Sequence, residues 1–250
     1  MATGASQPTP MYADCGACGA READLKCPCK TQHYCNAACQ RADFRTHKGR
    51  CTHWLVKDIG RQRDELQVMT AQGSSSVCEV ADKEEDLAAQ HKTVGELLIK
   101  TVQAGNFPAA EQHLKQALEL LRKLSALEKQ GGLGADTGIQ VDNSIATLLS
   151  LGNLYRIWNK CGDAVQAYQE ARDSLRNNMR AHGSTPDRQE TLVLILSNQG
   201  ETYNEQYDCE QGPDKSKCLA ARALVEEAVA INRALNLQAD EVALELATQP

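Results

Sequence analysis

The stretch that decides the fold is Cys15-Gly-Ala-Cys18, Cys27-Pro28-Cys29, Tyr34-Cys35-Asn-Ala-Ala-Cys39-Gln40 and His47-Lys48-Gly-Arg-Cys51. Pairs separated by one to three residues let a tight turn aim two side chains at one ion. Cys35 and Cys39 are four apart, as are His47 and Cys51, so each pair shares one face of a short helix. Eight soft or borderline ligands suffice for two tetrahedral zinc ions with no position left for water. Residues 15–51 are too few to bury a useful core, so a structural metal has to stabilise them.

Working outward, seven of the eleven cysteines fall in this stretch. The other four, Cys78, Cys161, Cys209 and Cys218, are scattered and read as core or surface thiols. Met1 to Pro10 is short and polar and lacks the apolar core of a secretory leader. No run approaches the roughly 18–20 apolar residues of a membrane span. A reducing compartment, cytoplasm or nucleus, is therefore expected, where dense cysteines hold metal rather than disulfides. Membranes are not expected as partners.

Charge divides the chain. The 250 residues carry 33 acidic and 27 basic side chains, a net −6. Residues 15–51 hold seven basic and three acidic groups, a net +4. Asp14 contributes −1, which leaves −9 for the remainder. Seven thiolates and two Zn²⁺ would bring the head down to about +1. A nucleic-acid partner is not expected from so small a surplus.

Four zones follow: a disordered tail over 1–14, the cysteine module over 15–51, a connecting helix and linker over 52–85, and a helical domain over 86–248. The connecting helix has Trp54, Leu55, Ile59, Leu66 and Met69 as its apolar positions. Gly73-Ser74-Ser75-Ser76 reads as the linker, and Gly131-Gly132-Leu133-Gly134 as a loop. Pro108, Pro186 and Pro213 sit where helices can begin.

The module resembles the MYND zinc finger. The resemblance is carried by Cys15-x2-Cys18, Tyr34-Cys35-x3-Cys39-Gln40 and His47-Lys48-x2-Cys51. It implies interleaved sites: Cys15, Cys18, Cys35 and Cys39 on the first zinc, Cys27, Cys29, His47 and Cys51 on the second. The chain departs from that family twice. Only Pro28 separates the third and fourth ligands where two residues are usual, and Phe44 stands where Trp is usual. His33 is an alternative ligand nearby.

The region beyond residue 86 resembles a short tetratricopeptide array of the kinesin-light-chain type. Repeats fall near 91–124, 145–178 and 193–236. The second has Leu148, Leu151, Gly152 and Tyr155 on its first helix and Ala164, Tyr168 and Ala171 on its second. The first has Val94 and Leu97, with Leu98 in place of the usual Gly, then Ala110, Leu114 and Ala117. The third has Leu196, Gly200 and Tyr203, then Ala221, Val225 and Ala228, with a longer loop over Asp208–Lys217 between them. Residues 239–247 read as a capping helix. The expected fold is thus a small cross-braced zinc module followed by an all-α superhelical array.

These resemblances imply a non-enzymatic adaptor for proteins that carry short peptide motifs, including proline-containing ones. Gln40 and Phe44 would line the finger's groove, and Asn153 and Asn198 would face the groove of the array. The alternatives are a RING-like ubiquitin ligase and a transcriptional co-regulator recruited through the finger. The terminal His47-x3-Cys51 pair disfavours the ligase, which usually ends in Cys-x2-Cys. No P-loop, dinucleotide glycine pattern or Ser/His/Asp context appears. A methyltransferase domain of the SET type would need well over a hundred further residues, largely β, before the helices.

Overall fold

The computed structural model describes residues 14–20, 23, 25–29, 32–73, 76–101, 104–133, 137–210 and 215–248. It divides into two compact units, residues 1–61 and 62–250. The tail expected over 1–14 lies outside the described residues apart from Asp14.

The first unit is built around a two-stranded antiparallel ribbon, β1 (Leu25–Lys26) and β2 (His33–Tyr34), with Leu25 opposite Tyr34. Helix α1 (Ala37–His47) follows, then a 3₁₀ turn (Lys48–Arg50) and the start of α2 (Thr52–Gln72). Asn36 caps α1 by accepting from the Cys39 amide at 2.9 Å, so the helix begins two residues after the ligand Cys35. The unit has a small core. Tyr34 is fully buried, and Cys15, Cys27 and Cys51 are nearly so. The Tyr34 hydroxyl donates to Asp43 Oδ2 at 2.8 Å, which ties the ribbon to α1.

The second unit is helical among the described residues. Its helices after α2 are α3 (Val77–Lys100), α4 (Phe107–Lys129), α5 (Ile139–Ile157), α6 (Cys161–His182), α7 (Pro186–Glu210) and α8 (Lys215–Thr248). Each of α3 to α7 packs on the helix that follows it, and α3, α5 and α7 also meet in sequence. Three helical hairpins stacked this way are consistent with a repeat array. Helix α3 starts at Val77, upstream of residue 86, because Ser76 and Glu79 form a capping box. Pro108 and Pro186 lie in the first turns of α4 and α7. Pro213 lies outside the described residues, as do Ser74, Ser75 and Gly134.

The core follows the expected hairpin positions. Ala110, Leu114, Ala117, Ala164, Tyr168 and Ala171 are fully buried. Gly152 marks a close approach of α5 to α6: a Cβ there would stand 2.4 Å from the Tyr168 ring. The first hairpin has its own close glycine. Gly95, and not position 98, faces the partner helix, where a Cβ would lie 2.6 Å from Leu114. Leu98 packs at the edge of the core instead.

The last hairpin departs from the reading in three ways. The loop expected over Asp208–Lys217 is largely helix, since α7 runs to Glu210 and α8 starts at Lys215. The extra residues lengthen both helices, and none of them is Pro or Gly until Gly212. Val225 is 41% exposed and Leu224 takes the buried place. Residues 239–247 continue α8 and form no separate cap.

Candidate metal centre

Each metal ligand reaches its place through a local device. Cys15 and Cys18 sit on a knuckle closed by the Gly19 amide donating to the Cys15 carbonyl at 2.8 Å. The Gly16 amide donates to the His33 carbonyl at 2.9 Å and fastens that knuckle to β2. Cys35 directly follows β2, and Cys39 lies in the first turn of α1. Cys27 and Cys29 follow β1 in a turn held by the Cys27 amide donating to the Gln32 carbonyl at 2.9 Å. His47 ends α1, and Cys51 lies between the 3₁₀ turn and α2.

Two tetrads result: Cys15, Cys18, Cys35 and Cys39, and Cys27, Cys29, His47 and Cys51. Within each, all ligand atoms lie within 4.8 Å of one another. In the first, Cys18 and Cys35 Sγ are 3.7 Å apart and Cys35 and Cys39 Sγ 3.4 Å. In the second, Cys27 and Cys51 Sγ are 3.6 Å apart, and His47 Nε2 lies 3.2 Å from Cys29 and 3.3 Å from Cys27. A tetrahedron with Zn–S of about 2.3 Å and Zn–N of about 2.0 Å has edges of about 3.8 Å (S to S) and 3.5 Å (S to N). The observed edges are this size and far too long for the roughly 2.05 Å of a disulfide. The tetrads fit two structural zinc ions.

Electrostatics favour the same occupant. A hydrogen bond with Cys35 and burial push the Cys39 thiol up to about 12. Backbone hydrogen bonds at Cys35 and Cys18 bring Cys15 down to about 6. Burial pushes Cys27 up to about 12. Thiols this close cannot all ionise beside one another, and a divalent cation removes that repulsion. Burial lowers the basicity of His47, which keeps it the neutral imidazole a metal needs.

The ligand order interleaves along the chain. Helix α1 carries Cys39 of one tetrad in its first turn and His47 of the other at its end. That span of eight residues is about 12 Å of helix. The short Cys27-Pro28-Cys29 pair delivers both sulfurs to the second tetrad. His33 belongs to neither tetrad and lies on β2 opposite Lys26.

Residues 15–51 match the MYND finger family. No curated protein and no solved structure matches the chain. The match ends where the helical body has yet to begin.

Beside the second tetrad of the MYND finger lies a cavity of about 250 Å³. Gln40 and Phe44 both line it. Phe44 is 40% exposed, and its ring meets Trp54 edge-on at 6.2 Å. From the sequence Trp54 is simply an apolar position of the connecting helix, since nothing in its spacing points back toward residue 44. Asn153 and Asn198 occupy neighbouring helices, α5 and α7, and are half-buried. Asn153 Oδ1 accepts from the Tyr168 hydroxyl at 2.7 Å and from Asn198 Nδ2 at 3.3 Å. Among the described residues, no helix is long and apolar enough to cross a membrane.

Proposed function

We propose that the protein is a non-enzymatic, zinc-stabilised adaptor that holds partner proteins by short, extended peptide segments. The observation that carries this reading is the cavity beside the second tetrad, with Gln40 and Phe44 on its wall. Phe44 offers apolar surface, and the Gln40 amide has both donors and an acceptor for a peptide backbone. The zinc ions act as scaffold, since four protein ligands on each leave no position for water or substrate.

The helical body is the second docking element, a tetratricopeptide-like array. Asn153 on α5 and Asn198 on α7 are joined by a hydrogen bond between those two helices. Their mutual hydrogen bond holds one carbonyl internally and sets the spacing of the two amides. Two modest sites on one chain raise overall affinity when both engage the same partner. An intracellular setting, cytoplasm or nucleus, accords with a thiol-rich metal site.

The test is an array of immobilised proline-containing peptides probed with the zinc-loaded full chain. Gln40→Ala and Phe44→Ala should remove one set of bound peptides, and Asn153→Ala with Asn198→Ala another. Equal binding by every variant would contradict the reading. Autoubiquitination with a purified conjugating enzyme should yield no chains, and robust chain formation would replace the adaptor with a ligase.

A further inference from the structure

We infer that Trp54, contributed by α2 from beyond the last zinc ligand, completes the finger's groove and selects an apolar peptide flanked by carboxylates. This rests on the peptide-docking reading of the finger and adds to it a residue and a charge preference. Trp54 lines the same cavity as Gln40 and Phe44 and is half-buried. The rings of Phe44 and Trp54 stand 75° apart, so they form two walls of a corner and not one flat patch. The indole that this finger lacks at position 44 is thereby supplied by the next helix.

The dimensions limit the occupant. About 250 Å³ falls below the roughly 300–1,000 Å³ of small-molecule sites. One or two side chains of an extended segment fill such a space. Pro28 and the two aromatic rings give it an apolar wall suited to Leu or Pro.

Charge supplies the rest. Arg41 and His53 line the cavity, and among the described residues no carboxylate does. Lys48 Nζ stands 5.7 Å from the Trp54 ring centroid, held there by the indole face. Asp43, one turn from Gln40, is turned toward Tyr34 and Thr46. The second tetrad with three thiolates and one Zn²⁺ carries a net −1. Arg41 and Lys48 exceed it, so the rim attracts anionic flanks.

The experiment uses the zinc-loaded full chain carrying Trp158→Phe. The chain has two tryptophans, so Trp54 is then its sole indole reporter. The probes are the synthetic heptapeptides Gly-Glu-Pro-Leu-Pro-Glu-Gly and Gly-Lys-Pro-Leu-Pro-Lys-Gly. The acidic probe should shift and intensify Trp54 emission and bind about tenfold more tightly than the basic one. That gap should narrow as salt rises from about 50 to 500 mM. In the tryptophan-replete chain, Trp54→Ala should weaken the acidic probe about tenfold by calorimetry while zinc stays at two per chain. Trp54→Phe, which keeps an aromatic wall, should recover most of the loss. If Phe44→Ala abolishes binding and Trp54→Ala does not, the groove stands and Trp54 has no part in it. Equal binding of the two probes overturns the charge preference. No binding of either probe to the intact chain overturns the groove and this inference together.

Discussion

Gly152→Ala adds one methyl group where α5 presses most closely on the Tyr168 ring of α6. That Cβ would stand 2.4 Å from Tyr168 Cε1, while ordinary contacts begin near 3.4 Å. Tyr168 or its helix must therefore recede by about 1 Å. The ring is fully buried, and its hydroxyl donates to Asn153, the residue beside Gly152. Recession strains or breaks that bond, at about 1 kcal/mol. Overpacking adds about 1–3 kcal/mol. Replacing Gly by Ala inside a helix returns about 1 kcal/mol. The expected net loss is about 1–3 kcal/mol, and a loss of 2 lowers the melting temperature by about 4–8 °C. Gly162→Ala is the control, since no atom lies within 4 Å of a Cβ there. It should be neutral or mildly stabilising. Thermal and urea unfolding followed by far-UV circular dichroism measure both. If Gly152→Ala stabilises as much as Gly162→Ala, the α5–α6 packing described above is wrong.

Three other perturbations test separate parts of the account. Cys39→Ala should lose zinc from the whole finger, because α1 carries ligands of both tetrads, yet leave most helical signal unchanged; collapse of that signal would contradict a two-unit chain. Tyr34→Phe removes the hydroxyl bonded to Asp43, at about 1–2 kcal/mol, and should speed zinc transfer to a chelator while the stoichiometry stays at two. In the body, His91 and His113 face each other with their Nδ1 atoms 2.9 Å apart, and burial, then His113 and Arg63, hold His91 down to about 4. Between that value and the usual 6.5 the unfolded chain binds a proton that the folded chain does not, so stability decreases as pH is lowered, by about 2 kcal/mol at pH 5. Urea midpoints followed by circular dichroism should show this slope, and His91→Gln should flatten it.

Both metal tetrads were legible because ligand chemistry is local. Cysteine spacing limits which side chains can reach one ion, and the MYND resemblance supplied the interleaving that spacing alone leaves open. The helical hairpins were legible where small residues mark close approach, as at Gly152 and Ala164. They were less so where the same need is met one turn earlier, as at Gly95. The lengthened α7 and α8 are hard to see in the sequence because polar residues suggest a loop, although Asn204 to Glu210 contains neither Pro nor Gly. The place of Trp54 is hidden for another reason. Its partner Phe44 lies on a different helix, and their meeting depends on the turn that the second tetrad creates.

The central claim is that two ions sit in sites of different composition. Zinc K-edge absorption on the purified full chain, with metal content measured on the same sample, tests it most directly. The account predicts two zinc ions per chain and, over both ions together, seven sulfur ligands and one nitrogen, with no oxygen. One zinc per chain, or a water oxygen in either coordination shell, would contradict it.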